Sequence, residues 1–252
     1  MGTASCDKMR LDRLLVERGI ADSREKAQAL ILAGQVLVDE QKAQKCGVLT
    51  SPEAKLRLIG ETSKYVSRGG VKLEGALAQF RVDPDAKICL DIGASTGGFT
   101  DCLLQHGAAR VFAVDVGTNQ LDWKLRRDSR VVSLEKTNAR NLGFDRIGTR
   151  VELVTMDVSF ISATMILPVL PPLLDAGAEA LVLVKPQFEV GKGLVGKGGI
   201  VRDPALRQGA VAKVSRKMLE LGFADLAHAE SVLPGAEGNI EYFLHAVWRT
   251  AA

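Results

Sequence analysis

The sequence predicts an α/β protein: a mostly parallel, doubly wound sheet with an antiparallel hairpin at one edge, preceded by a small α+β module. Three observations carry that expectation. From residue 88 onward, short apolar runs at 88–92, 111–114, 131–132, 151–156 and 180–184 alternate with helical patterns. Such alternation is the signature of β-α-β units around a parallel sheet. Two last apolar stretches, 223–229 and 242–248, flank a glycine-bearing turn and read as the hairpin. The first sixty residues differ, with two short helical patterns followed by short strands.

In chain order, residues 1–8 read as a flexible tail. Leu11, Leu14 and Leu15 fall at helical spacing, and Arg18-Gly19 ends that helix. Asp22-Ser23-Arg24-Glu25 resembles a capping box, with the acid three places after the cap. Ala27, Leu30 and Ile31 form the inner face of a second helix stopped by Gly34, and Val36–Val38 and Leu56–Ile59 are strands. A module of this size has a marginal core. The expected boundaries are a small domain over 9–60, a linker over 61–67, and the large domain over 68–252. Within the large domain a helix carries Leu73, Leu77 and Phe80 inward and ends at Asp83-Pro84-Asp85. The segment after 157 reads as helical but broken by Pro168, Pro171 and Pro172, and a last helix covers roughly 204–221.

Composition narrows the function classes. The 252 residues are 46% hydrophobic and 25% charged, ordinary values for a globular protein. No run of eighteen apolar residues predicts a membrane span, and the N-terminus has no signal-peptide pattern. The cysteines (Cys6, Cys46, Cys89, Cys102) form no metal-type pair, so no metal is expected. Cys89 in a buried strand suits a reduced, cytoplasmic protein. A net charge of +3 permits a nucleic-acid partner without demanding one. Oligomeric state is not legible.

The stretch from Ile88 to Asp101 organises the large domain. An apolar strand leads into Asp91-Ile92-Gly93, a loop of Ala94-Ser95-Thr96, then Gly97-Gly98-Phe99 at a helix start. Backbone N–H groups and the positive end of a helix dipole converge there. Asp115 ends the next strand, 24 residues after Asp91 and followed by Val116-Gly117. A carboxylate at that place holds both hydroxyls of a ribose. Asp91 would sit badly beside a pyrophosphate but suits a cationic ligand. The expected ligand is therefore S-adenosyl-L-methionine (SAM), with a ribose, a sulfonium and an ammonium but no phosphate. Its candidate contacts are Asp91, Gly93, Ser95, Thr96, Gly97, Gly98, Phe99, Asp115, Val116 and Gly117.

Ligands of open α/β sheets lie beyond the carboxyl ends of the strands. Asp157 and Lys185 fall at two such ends. Glu241 precedes the last strand, and Lys72 lies on the helix before the cofactor strand. Each has an unremarkable alternative: a helix cap for Asp157, snorkelling surface lysines, and an edge acid for Glu241. As a catalytic set they suit methyl transfer to a hydroxyl. A lysine can stabilise the developing alkoxide or, if its pKa falls from about 10.4, take the proton. Lys185 is expected at the centre, oriented by Asp157 and Glu241, with Lys72 adding positive charge.

Two resemblances extend these readings. Arg10-Leu11-Asp12-Arg13-Leu14-Leu15, Ser23-Arg24-Glu25-Lys26-Ala27 and Ile31–Val38 resemble the small RNA-binding module of a ribosomal small-subunit protein, pseudouridine synthases and tyrosyl-tRNA synthetases. The lysine-aspartate-lysine-glutamate order is similar to FtsJ-class ribose 2′-O-methyltransferases. The matching segments are Tyr65–Leu73, the glycine stretch, Ala113–Gly117, Asp157–Ser162, Val184–Glu189 and Gly235–Phe243. With them the whole chain resembles the TlyA family, described both as hemolysins and as ribosomal RNA cytidine 2′-O-methyltransferases. The resemblance implies ribosomal RNA or ribosomal subunits as partner. The candidate RNA contacts are Arg13, Arg18, Arg24, Lys26 and Arg68, with Lys192 and Lys197 on a glycine- and lysine-rich loop that reads equally as a flap or as a solvated connector. An amino-group methyltransferase is disfavoured because Asp157-Val158-Ser159-Phe160 lacks its prolines, and Asp91 disfavours a nicotinamide dehydrogenase. The alternatives from other classes are a pore-forming hemolysin, for which no spanning segment exists, and a non-catalytic RNA-binding assembly factor.

Overall fold

The computed structural model describes residues 8–59, 64–235 and 237–249, together with the backbone but not the side chain of Lys192. Residues 1–7 of the expected tail and 61–63 of the expected linker lie outside the described residues. The chain divides into two compact units, Met1–Thr62 and Ser63–Ala252.

The first unit contains β1 (Met9–Arg10), α1 (Leu11–Glu17), α2 (Arg24–Leu32), β2 (Val36–Val38), β3 (Gln41–Lys42), β4 (Leu49–Thr50) and β5 (Leu56–Leu58). β2 is the centre of an antiparallel β3-β2-β5 sheet, and β1 pairs with β4. Leu11, Leu15, Ala27, Ile31 and Val36 make its core. The cap of α2 is Ser23, whose hydroxyl accepts from the Lys26 amide at 3.2 Å. The expected capping box therefore does not form. With Ser23 rather than Asp22 as cap, Glu25 falls one place short of the reciprocal position.

A carboxylate is the polar centre of this unit. Asp12 is fully buried and accepts from Arg10 (2.9 and 3.1 Å), Gln28 Nε2 (2.9 Å) and Arg24 Nε (3.1 Å). The Arg10 guanidinium, above all, holds its carboxyl well below the usual carboxylate range.

The second unit contains α3 (Arg68–Phe80), β6 (Ile88–Ile92), α4 (Gly98–Gln105), β7 (Arg110–Val114), α5 (Trp123–Arg126), β8 (Val131–Leu134), α6 (Phe144–Ile147), β9 (Val151–Met156), β10 (Leu174–Val184), α7 (Pro186–Glu189), α8 (Pro204–Glu220), β11 (Phe223–Glu230) and β12 (Tyr242–Trp248). The described residues form a seven-stranded sheet in the order β11-β12-β10-β9-β6-β7-β8. β8 through β10 run parallel, while β12 is antiparallel to both β10 and β11. The expected edge hairpin is present, with β12 on its inner side. From β6 the chain winds outward through β7 to β8, then crosses back to β9 on the other side of β6. That reversal is a topological switch point, where ligand crevices open in such sheets.

Helices α3 and α4 cover one face through Leu73, Leu77, Phe99 and Leu103. Helix α8 and the 163–173 segment cover the other through Leu167, Leu170, Val214 and Met218. The 163–173 segment is three short 3₁₀ turns rather than a broken α-helix, because prolines at 168, 171 and 172 supply no amide donors. Helix α3 ends at Phe80, before the expected Asp83, through Arg81 in the left-handed region at φ 57°. The expected linker also stops short of residue 67. Tyr65 is buried, and the Val66 amide donates to Asp101 at 2.8 Å.

Candidate active site

The strand-loop-helix turn after β6 is tight because its neighbour is backbone. Gly93 has φ +84°, and a Cβ there would meet the Asp157 carbonyl at 2.2 Å. Glycine is therefore required to let the ends of β6 and β9 close on each other, and the Asp157 amide bonds the Ile92 carbonyl at 2.9 Å. Gly98 serves the same end between helices, since a Cβ there would strike Ser67 Oγ and the Gly70 amide of α3. These glycines answer to protein neighbours.

Three cavities open at this edge. The largest, about 390 Å³, is lined by Gly93, Ser95, Asp115, Val116, Asn138, Ala139, Asp157 and the 158–161 segment, among others. Asp115 is preset within it. One carboxylate oxygen accepts the Ser95 amide at 2.8 Å and the other the Gly117 amide at 2.7 Å. Each oxygen keeps acceptor capacity for a ribose hydroxyl. Asn138, Ala139, Gln120 and Ile161 were not legible in the sequence, because they come from irregular connections without a motif. The second cavity, about 200 Å³, is lined by Arg68, Gly69 and Lys72 of α3, by Gly93, Ala94, Ser95, Thr96, Gly98 and Phe99, and by Asp157. The third, about 360 Å³, is lined by Ser159, Phe160, Lys185, Gln187, Phe188 and Glu241, among others.

Three of the expected cofactor contacts do not line these cavities. Asp91 is fully buried and accepts from Thr100 Oγ1 (2.7 Å) and Thr155 Oγ1 (3.0 Å). Burial pushes its carboxyl up to about 7. The carboxylate fastens α4 to β9 behind the loop instead of facing a ligand. Gly97, at φ +96°, packs against Leu121 and Leu125. Gly117 acts through its amide on Asp115.

The four polar residues form two ion pairs. Lys185 Nζ is 2.5 Å from Asp157 Oδ1 and donates to Ser159 Oγ at 2.9 Å. Lys72 Nζ donates to Glu241 Oε2 at 2.6 Å, with the two side chains only 10% and 3% exposed. Glu241 is thus the partner of Lys72, not the orienting group expected for Lys185, although both line the third cavity with their neighbours. Lys72 is not the snorkelling surface lysine that its place on a helix also allowed. Helix α3 turns it inward, towards a loop 169 residues further along the chain. Burying such a pair is not an efficient route to stability. Lys185 is positioned by β10, which stops where Pro186 begins α7. Asp157 is shared by the first two cavities, and Ser159 and Phe160 by the first and third. Phe160 has φ 65° and is 92% exposed, its ring 5.2 Å from that of Phe188.

The expected RNA contacts separate into engaged and free groups. Arg18 is committed to the Ala54 and Pro52 carbonyls, and Arg24 to Asp12. Arg13 and Lys26 are exposed, as is Lys197 on the 197–199 turn. Arg68 lines the second cavity and donates to the Pro234 carbonyl at 3.1 Å. The side chain of Lys192 lies outside the described residues.

The mostly parallel sheet opens at its switch point onto a preset acid and paired lysines, and the family of FtsJ-like methyltransferases, a class of enzyme, matches residues 65–248. The S4 domain matches residues 9–48. The chain is 50% identical to the 16S/23S rRNA (cytidine-2′-O)-methyltransferase TlyA of Mycobacterium tuberculosis, over 94% of this chain and 89% of that one. It is 44% identical to hemolysin A of Brachyspira hyodysenteriae over 95% of this chain and 100% of that one. A solved structure from Streptococcus thermophilus, named as a hemolysin candidate, superposes with a TM-score of 0.75 at 41% identity, covering 98% of this chain and 90% of that one. The chain belongs to the TlyA family of FtsJ-like methyltransferases with an N-terminal S4 domain. Membership makes S-adenosyl-L-methionine its methyl donor.

Proposed function

We propose that this chain transfers a methyl group to the ribose 2′-oxygen of a cytidine in ribosomal RNA. The observation that carries the reading is the placement of the Lys185–Asp157 and Lys72–Glu241 pairs along the cavities that meet at the sheet edge. The cytidine and ribosomal RNA of the reading come from the M. tuberculosis relative.

The residues of the largest cavity fit the donor. Asp115 would take the ribose hydroxyls, and the apolar walls at Val116, Ala139 and Ile161 would take the adenine. When bound, SAM supplies a methyl group on a cationic sulfonium. Lys185 would offer positive charge to the alkoxide that develops on the ribose oxygen as the hydroxyl proton leaves to solvent, while Asp157 and Ser159 fix its direction. Lys72, held by Glu241, adds charge from the α3 side. Phe160 and Phe188 offer an aromatic face on which a base could stack. Alignment of oxygen, methyl and sulfur is most of the task.

The S4 domain is the RNA handle in this reading, with Arg13 and Lys26 free for phosphates, and ribosomal subunits in the cytoplasm are the proposed setting. Among the described residues no helix is long and apolar enough to cross a membrane. The test is a map of ribose methylations in ribosomal RNA from cells with and without this protein. At least one cytidine should lose its 2′-O-methyl group in the deletion and regain it with the wild-type chain but not with Lys185→Ala. An unchanged map overturns the proposal.

A further inference from the structure

Beyond the two ion pairs and Asp91, the buried carboxylate of Glu189 stands beside the site without a role in the chemistry. Glu189, the last residue of α7, is 7% exposed. One of its oxygens accepts the Ala163 amide at 2.7 Å and the other the Ser162 hydroxyl at 2.5 Å. Lys213 of α8 reaches the same carboxylate at 3.1 Å and the Glu189 carbonyl at 2.8 Å. The sequence gives neither residue a role, although Glu189 closes the matching segment Val184–Glu189. Glu189 follows Lys185 by one helical turn, and Lys213 sits on a helix that touches none of the three cavities.

The placement of these bonds gives them a purpose. The segment from Asp157 to Ser162 is an arch. Its first foot is the Asp157 amide on Ile92, and its second is Ser162-Ala163 on Glu189. Between the feet lie Ser159, Phe160 and Ile161, which wall the donor cavity, the first two of them also walling the Lys185 cavity. At the crown Phe160 is held at positive φ, a conformation that persists for a bulky side chain only when its surroundings fix it. The partners on the far side, Lys185 and Phe188, belong to the segment that Glu189 terminates. One buried carboxylate therefore ties the segment that follows β9 and begins at Asp157 to the short helix α7 that follows Lys185.

We infer that Glu189, locked by Lys213, is a positioning residue that sets the distance between the donor and acceptor cavities. The inference rests on the proposed function for its activity readout. In single-turnover methylation of ribosomal RNA, at saturating SAM and RNA, Glu189→Gln should slow the chemical step about tenfold or more, because small misplacements of reacting groups carry penalties of that size. Affinity for SAM should change by less than about threefold, since most of the donor cavity is unaffected. Lys213→Met should give a similar loss, and the double variant should be no slower than the worse single one, because both remove the same clasp. Lys213→Arg, which keeps the charge, should retain most activity. The pH-rate profile should keep its inflections and lose only its plateau.

Single variants within about twofold of wild type overturn the inference. So do losses that multiply in the double variant, or a SAM affinity weakened well beyond about threefold. A wild-type chain that methylates no ribosomal RNA overturns the proposed function instead. In that case hydrogen exchange still decides the clasp: the Ala163 amide should exchange faster in Glu189→Gln while amides of β9 do not, and an unchanged Ala163 amide overturns it.

Discussion

Asp12 in the first unit and Glu241 and Asp157 in the second show two different uses of a paired carboxylate. In the first, Asp12 is fully buried and takes hydrogen bonds from two arginines and a glutamine. In the second, Glu241 and Asp157 each meet one lysine at the wall of a cavity. A saturated carboxylate is a structural hub: its charge is spent on holding α1 and α2 together. A singly paired one leaves acceptor capacity, and its lysine leaves N–H donors, for a substrate. Residue type alone does not separate the two arrangements; the number of partners and a cavity at the wall do.

If the pairs in the second unit serve chemistry, separating one of them should destabilise far more than removing both. Lys72→Met strands Glu241 as a buried, unpaired charge, and the expected loss is about 3 to 5 kcal/mol in denaturant titrations. Lys72→Met with Glu241→Gln should recover most of that stability while methyl transfer stays low. Recovery of activity along with stability would place the pair with Asp12 as scaffold.

Lys185→Ala should slow single-turnover methylation by two orders of magnitude or more, about 2.7 kcal/mol of transition-state stabilisation, with SAM affinity little changed. Arginine should not rescue it, because a planar guanidinium does not reproduce the compact ammonium. A rate within a few-fold of wild type would remove Lys185 from the centre of the site.

Asp115 is a third kind of acid, preset by two amides but open to a cavity. Asp115→Ala should weaken SAM binding about tenfold, about 1.4 kcal/mol, by calorimetry on the folded variant. Unchanged affinity would make Asp115 a loop fastener.

Asp91 gives the smallest effect and the sharpest contrast, as a structural hub of the Asp12 kind inside the catalytic unit. Its carboxyl is raised from 3.8 to about 7. The folded state thus binds a proton that the unfolded chain has lost, and stability from this group falls as pH rises from about 4 through about 7. Asp12 has the opposite sign: its lowered carboxyl contributes stability above the unfolded value, which is lost on acidification. Asp91→Asn should flatten the thermal-stability profile between pH 5 and pH 8 and leave SAM affinity within about twofold. A large loss of SAM affinity would return Asp91 to the binding site.

The sequence by itself determined the elements and the polar positions. The apolar runs at 88–92, 111–114 and 151–156 mark strands because side-chain periodicity is a local property, and glycines at 93 and 98 mark the turn because backbone crowding excludes a Cβ there. A carboxylate 24 residues after Asp91 fell on Asp115 because one β-α-β step has a nearly fixed length. Tertiary structure alone decided who meets whom. Lys72 finds Glu241 across 169 residues, and Glu189 finds Ser162 across 27, because the sheet order brings those loops to one edge. Asp91 turned inward because Thr100 and Thr155 stand behind it, and Arg18 and Arg24, still exposed, bond partners inside their own unit. Periodicity and spacing report which face a residue occupies. The partner waiting on that face is set by strand order and loop closure, which couple residues far apart in the chain.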